Sequence, residues 1–132
     1  MIFVDSSFWI ALRNDIDAHH LEAKALLSVT EWTHLVTSNH VRGETWTFLR
    51  NRAGHASAVA YLEAADASPR LDVVHIPEDM EDVALAWLRR HDERRYSFVD
   101  ATSFALMRSL KIRDALAFDA DFTAAGFREI RV

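Results

Sequence analysis

The chain contains no cysteine, which excludes disulfides, thiolate metal sites and thiol nucleophiles, so that any metal must be held by oxygen or imidazole. Three Gly and two Pro are the whole supply of chain breakers, a composition that favours helices over a loop-rich or repetitive protein. No apolar run approaches the roughly 18 residues of a membrane span. Met1-Ile2-Phe3-Val4 leads into Asp5 without a basic region or a small-residue cleavage site. The expectation is a cytoplasmic protein with no membrane association. Positive charge is also short. The formal net charge of -5 argues against a protein that coats nucleic acid through bulk charge. It leaves open a site in which carboxylates gather round divalent ions, because such a site attracts phosphate once loaded.

Half of the 132 residues are hydrophobic and 27% are charged, which fits one domain spanning residues 1–132 with a substantial core. All the basic residues except Lys24 and Lys111 are Arg, whose planar fork suits bidentate contacts to phosphate.

Hydrophobic spacing gives the order of elements. Ile2-Phe3-Val4 reads as a short strand that stops at Asp5-Ser6-Ser7, where a carboxylate and hydroxyls can cap a helix carrying Phe8, Trp9, Ile10 and Leu12. A second helix is expected from about Asp17, with Leu21, Ala25, Leu26 and Val29 on one stripe. His34-Leu35-Val36-Thr37 reads as a strand, and Ser38 or Asn39 caps a helix running to about Arg52. Gly54 breaks that helix, and Ala58, Tyr61, Leu62 and Ala65 continue at helical spacing. Leu71 to Ile76 reads as a third strand, and Pro77 as the start of a helix with Val83, Ala84, Trp87 and Leu88 on its apolar face. A helix from about Val99 to Leu110, a strand at Ala115–Phe118 and a strand at Phe127–Val132 complete the chain. Short strands alternating with helices imply an α/β sandwich with a mainly parallel central sheet of about five strands.

Four acids stand out against this pattern. Asp5 and Asp119 each follow an apolar strand, on the rim where ligands bind in open α/β sheets. Asp100 opens a helix that faces the same rim. Glu44 has Val41 three residues before it and Phe48 four after, which sets a carboxylate on an apolar stripe. Carboxylates brought close together repel and raise their own pKa values unless cations neutralise them, and hard divalent ions with oxygen ligands do so. Such an ion supports hydrolysis of a phosphodiester without a side-chain nucleophile. Each acid also has a structural role open to it. Asp5 and Asp100 can cap helices, Asp119 and Asp121 can serve a turn, with that role favoured for Asp121, and Glu44 can be a surface residue.

These residues fall in the order of a known signature. Ile2-Phe3-Val4-Asp5-Ser6-Ser7, Gly43-Glu44-Thr45-Trp46, Ser97-Phe98-Val99-Asp100-Ala101 and Ala117-Phe118-Asp119-Ala120-Asp121-Phe122, followed by Gly126-Phe127, together resemble the motifs of the PIN-domain family, in its VapC-type toxin branch. The resemblance implies a PIN-like three-layer sandwich and a metal-dependent endoribonuclease that acts as the toxin of a toxin–antitoxin pair. It implies Mg²⁺ or Mn²⁺ bound by Asp5, Asp100 and Asp119. As the fourth catalytic acid Glu44 would bind the metal through water or orient the attacking water, and Asp121 and Ser6 would be secondary. It further implies a cognate VapB-type antitoxin and a homodimer. The segments Thr37–Trp46 and His91–Phe104 resemble the subgroup that cuts the sarcin-ricin loop of 23S rRNA. The other function kept open is a PIN-like module that binds RNA or protein without cutting.

Arg42, Arg50 and Arg52 on the helix of Glu44, Arg89, Arg90, Arg94 and Arg95 shortly before Asp100, and Trp46 are candidate RNA contacts, against the plainer reading of solvated helix ends and a core aromatic. His19-His20 is expected to pack against the first helix rather than to bind a metal.

Overall fold

The computed structural model describes residues 1–132. Five strands, β1 (Ile2–Val4), β2 (Leu35–Ser38), β3 (Leu71–Val74), β4 (Asp114–Leu116) and β5 (Arg128–Glu129), form one sheet in the order β3-β2-β1-β4-β5. Every pairing is parallel, with Ile2 opposite Leu35, Phe3 opposite both Val36 and Ala115, and Val4 opposite Leu116. Seven helices connect them: α1 (Ser6–Arg13), α2 (His20–Val29), α3 (Asn39–Arg52), α4 (His55–Ala67), α5 (Glu78–Arg90), α6 (Phe98–Ser109) and α7 (Asp121–Ala124). The connections step outward from β1 to β3, then return across the sheet to β4 and β5. With right-handed crossovers this puts α1 to α4 on one face and α5 to α7 on the other, an α/β three-layer sandwich. The packing of α1 on α2 and α3, of α3 on α4, and of α6 on α5 and α7 agrees.

The strand order reverses between β1 and β4, so the crevice beyond their carboxyl ends is the topological switch point of the sheet. Asp5 leaves β1 at that point, and its backbone N–H donates to the Leu116 carbonyl of β4. The segment after β4 is pinned by aromatic packing beneath it. Phe122 of α7 is fully buried, with ring centroids 5.9 Å from Phe3 and 5.0 Å from Phe104. A fully buried Phe contributes roughly 2 kcal/mol of hydrophobic stabilisation, enough to hold a helix of one turn in place.

Local chemistry sets the helix starts. Ser38 caps α3 by accepting the Val41 N–H at 3.1 Å, which selects it over Asn39. Ser97 and Asp100 form a capping box at the start of α6, with bonds of 2.9 and 3.0 Å. Gly54, at φ +98°, turns the chain between α3 and α4 in a conformation that side chains rarely adopt. Pro77 is the N-cap of α5 rather than its first helical residue.

Some expectations were displaced. α2 starts at His20, and its buried positions are Ala23 and Leu26, while Leu21 and Val29 are 79% and 69% exposed. The buried side of α2 thus pairs Ala23 with Leu26, and Leu21 and Val29 fall on the solvent side. Val83 of α5 likewise faces solvent. β3 ends at Val74, and β5 is only two residues long, pairing with Asp114 and Ala115 of β4 and ending at Glu129. His20 donates through Nδ1 to the Ala11 carbonyl of α1 at 2.8 Å, and His19 stacks on Phe118 at 4.4 Å.

Candidate metal centre

Three carboxylates converge at the switch point. Asp5, Asp100 and Asp119 each present an oxygen within 4.8 Å of the other two. They arrive from the end of β1, the first turn of α6 and the loop after β4. The spacing compares with about 4 Å across the oxygen shell of an octahedral Mg²⁺, so a small closing movement or one bridging water suffices for a shared ion.

Asp5 is 1% exposed and caps α1. Its Oδ2 accepts from the Ser7 backbone at 3.1 Å and from the Ser7 hydroxyl at 2.8 Å, while Oδ1 is buried with no partner. A buried carboxylate oxygen left open is costly unless something else meets it, and in a cluster of three acids a cation is the group that fits. One carboxylate can therefore serve both as cap and as ligand, with Oδ2 turned to the helix and Oδ1 left without a protein partner. Asp100 divides in the same way: Oδ2 accepts the Ser97 N–H within the capping box, and the side chain still reaches the cluster. Asp119 is more exposed, and its Oδ1 accepts the Asp121 N–H at 3.1 Å.

Electrostatics follow from this crowding. Burial, and then the charge of Asp119, hold the Asp5 carboxyl well above the usual range. Burial, with Asp119 and Asp121 nearby, pushes Asp100 up to about 6. Asp119 is raised by burial and by the neighbouring charges of Asp121 and Glu129. Three acids that resist ionisation in one pocket are a site prepared for positive charge.

Glu44 stands apart from this triad. On α3 the fully buried stripe is Val41, Thr45 and Leu49, and Glu44 lies on its flank. There it accepts a short 2.5 Å bond from the Ser6 hydroxyl through Oε1. Ser6 thus ties the acid on α3 to the residue next to Asp5. Glu44 also lines a groove of 660 Å³ that runs along α3 and touches Val99 beside Asp100.

The secondary candidates separate. Asp121 is a turn and pairing residue whose Oδ1 meets Arg94 at 2.8 Å, and Arg94 also donates to the Asp119 carbonyl at 3.4 Å. Arg42 and Trp46 lie two residues either side of Glu44, which turns them to the opposite side of α3. Trp46 packs edge-on against His55 of α4. Arg89 and Arg90 are exposed in the last turn of α5, where they complement the helix dipole.

Two positioning residues escaped the sequence reading. The Ser7 hydroxyl accepts the Phe118 N–H at 3.0 Å while donating to Asp5. Glu129, its side chain 4% exposed, accepts the N–H groups of Ala120 and Thr123 at 3.3 and 3.0 Å and so clamps the loop that carries Asp119. Ser7 follows an acid and a serine that already explain a cap, and the reach of Glu129 back to residue 120 is set by tertiary structure alone.

A parallel sheet of this order with three acids at its switch point is the arrangement of a PIN domain, and the PIN domain family model matches residues 2–128. The chain belongs to the PIN-domain family. The 23S rRNA-specific endonuclease VapC20 of Mycobacterium tuberculosis is 56% identical over 131 residues, covering 99% of this chain and 98% of that protein. The crystal structure of M. tuberculosis VapC20, described as a sarcin-ricin loop cleaving toxin, matches with a TM-score of 0.93 and 55% identity over the whole of both chains. A VapC ribonuclease of Archaeoglobus fulgidus is 25% identical over 124 residues, covering 91% of this chain and 78% of that one.

Proposed function

We propose that this protein, one PIN domain over residues 1–132, is a metal-dependent endoribonuclease of the VapC20 type that cuts the sarcin-ricin loop of 23S rRNA as the toxin of a toxin–antitoxin pair. The observation that carries the reading is the buried carboxylate of Asp5, its Oδ1 without a partner, in a cluster whose three acids each present an oxygen within 4.8 Å of the other two. The similarity to VapC20 along the full chain supports the substrate.

Asp5, Asp100 and Asp119 would hold Mg²⁺ or Mn²⁺. When bound, the ion lowers the pKa of a water and stabilises charge on the phosphoryl oxygens. The chain supplies the rest. Ser7 fixes Oδ2 of Asp5 and leaves Oδ1 free for an ion. Ser6 holds Oε1 of Glu44, leaving Oε2 to orient the attacking water or take its proton. Glu129 holds the Asp119 loop, so that the third acid stays in reach although it is exposed.

A cognate VapB-type antitoxin and a homodimer complete the proposal. Leu21 and Val29 on α2 and Trp32 just beyond it, 94% exposed, leave apolar surface that supports a protein partner. No helix is long and apolar enough to cross a membrane.

The test is mapping of new RNA 5′ ends after intact ribosomes and total RNA are incubated with the protein in Mn²⁺ or EDTA, beside Asp100→Ala. A discrete metal-dependent cut in the sarcin-ricin loop, absent from the variant, is the expected result. RNA binding without any cut in Mn²⁺ would replace this reading with a non-cutting PIN module.

A further inference from the structure

The groove along α3 that starts at Glu44 is not explained by the metal centre. Glu44, Thr47, Phe48, Asn51 and Arg52 fall at i, i+3, i+4, i+7 and i+8, so they form one continuous face about 12 Å long. At the near end the groove touches Glu44 and Val99, each adjoining the acid cluster. At the far end the Arg52 guanidinium lies 5.2 Å over the Phe48 ring, with no carboxylate within 4 Å. The groove therefore runs from an acid to an unpaired cation, past an aromatic ring and the uncommitted amide of Asn51.

Gly43 supplies a second, independent observation. It sits inside α3, where Gly weakens a helix relative to Ala, yet a Cβ built there meets nothing within 4 Å. No packing inside this protein needs the absence of that side chain. What the glycine leaves open is groove space beside Glu44.

Resting on the nuclease reading above, we infer that this groove is the subsite for the RNA strand on one side of the cleaved bond. Phe48 and the guanidinium plane of Arg52 form a stacking platform for a base, Arg52 contacts a phosphate, Asn51 and Thr47 face the base edge, and Gly43 makes room for the chain. The RNA contacts on α3 then lie on the side of Arg52 and Phe48 and not on that of Arg42 and Trp46. The groove volume of 660 Å³ falls within the range of small-molecule sites and accommodates a nucleotide.

The test uses Gly43→Leu, Arg52→Ala and Phe48→Ala, with Arg113→Ala, before β4 at the other end of the strands, as a charge control. Binding of a fluorescent sarcin-ricin loop hairpin is measured in the Asp100→Asn background, which leaves the RNA uncut, and KM for intact ribosomes is measured in the otherwise native protein. Each groove variant is expected to weaken hairpin binding and raise KM about tenfold, with Arg113→Ala unchanged. Arg52→Ala should also lower the slope of log affinity against log salt by about one. An unaltered melting temperature and Mn²⁺ affinity in Gly43→Leu would assign its effect to the filled groove. Cleavage with unchanged KM in Gly43→Leu and Arg52→Ala would overturn the subsite while leaving the nuclease intact. Sedimentation showing that Gly43→Leu splits a dimer, with hairpin binding unaffected, would give the groove to a second copy and equally overturn it. Absence of both hairpin binding and cleavage in the parent protein would remove the nuclease reading and the subsite together.

Discussion

Ser7 donates its hydroxyl hydrogen to Oδ2 of Asp5 at 2.8 Å, and its hydroxyl oxygen accepts the backbone N–H of Phe118 at 3.0 Å. One hydroxyl thus joins the acid at the end of β1 to the chain leaving β4, on which Asp119 follows immediately. The distance between two of the three acids depends on a group that ionises in neither state.

Replacing Ser7 with Ala leaves the Phe118 N–H without its partner and frees Asp5 to rotate. Unmade buried bonds of this kind cost about 1–3 kcal/mol, so a lower melting temperature is expected together with at least a tenfold loss of Mn²⁺ affinity. Ser7→Thr keeps the hydroxyl and should restore most of both. Calorimetric titration of Mn²⁺ beside thermal unfolding checks the pair, and equal affinity in Ser7→Ala would detach Ser7 from the site.

The raised carboxyl groups give the metal-free protein an unusual response to pH. Asp100 has a folded pKa of about 6 against 3.8 for the ordinary group. Between these values the folded chain binds more protons than the unfolded chain, so stability falls as pH rises through roughly pH 4 to 6. Asp5 and Asp119, shifted in the same direction, add to the fall. Metal and protons compete for the same oxygens, so Mn²⁺ should raise the melting temperature more at pH 7.5 than at pH 5, the sign following from ligands that must ionise first. Denaturation across that range, with Mn²⁺ and with EDTA, measures it. A metal-free protein that gains stability from pH 4 to 6 would contradict the assignment.

Asp100→Asn separates stability from metal binding. The amide oxygen can still accept the Ser97 N–H of the capping box, while one negative charge leaves the cluster. The metal-free variant is expected to be more stable at neutral pH by about 1–2 kcal/mol, less than the full linkage of a two-unit shift because the helix start loses a charge. Its Mn²⁺-induced stabilisation should vanish. Chemical denaturation with and without the ion reports both effects.

Glu129 tests whether the loop after β4 must be held. Glu129→Ala strands the N–H groups of Ala120 and Thr123 and releases the Asp119 loop, whose residue Ala120 already sits in the left-handed region at φ +65°. A loss of about 0.5–1.5 kcal/mol is expected, because both N–H groups are exposed and regain water, with weakened Mn²⁺ binding. Glu129→Gln, which retains an accepting oxygen, should recover the stability. Unfolding and metal titration of the two variants decide between a clamp and a bystander.

The acids were legible because each sits where a strong local pattern stops. Asp5 ends the Ile2-Phe3-Val4 run, Asp119 follows the last buried residues of the β4 segment, and Ser97 with Asp100 writes its capping box into four consecutive residues. Strand order was implied only as far as parallel crossovers require, and the switch point between β1 and β4 needed the fold. The spacing also placed Glu44 on an apolar stripe, whereas the stripe is Val41, Thr45 and Leu49, and the carboxylate is held off the triad by Ser6. Apolar spacing misled in part on α2, where Leu26 of the expected stripe is buried together with Ala23 while Leu21 and Val29 are left outside. The Arg94–Asp121 pair, the Glu129 clamp and the groove ending at Arg52 join residues from separate elements, and no local pattern encodes such meetings.

The most direct measurement is the single-turnover rate of 23S rRNA cleavage in intact ribosomes as a function of Mn²⁺ concentration, for the native chain and for Asp5→Asn, Asp100→Asn and Asp119→Asn. The account predicts a rate that saturates with Mn²⁺ and is abolished by EDTA. It predicts a fall of several orders of magnitude in each variant at every metal concentration. A cut at the same bond that proceeds in EDTA, or that survives loss of these acids, would contradict it.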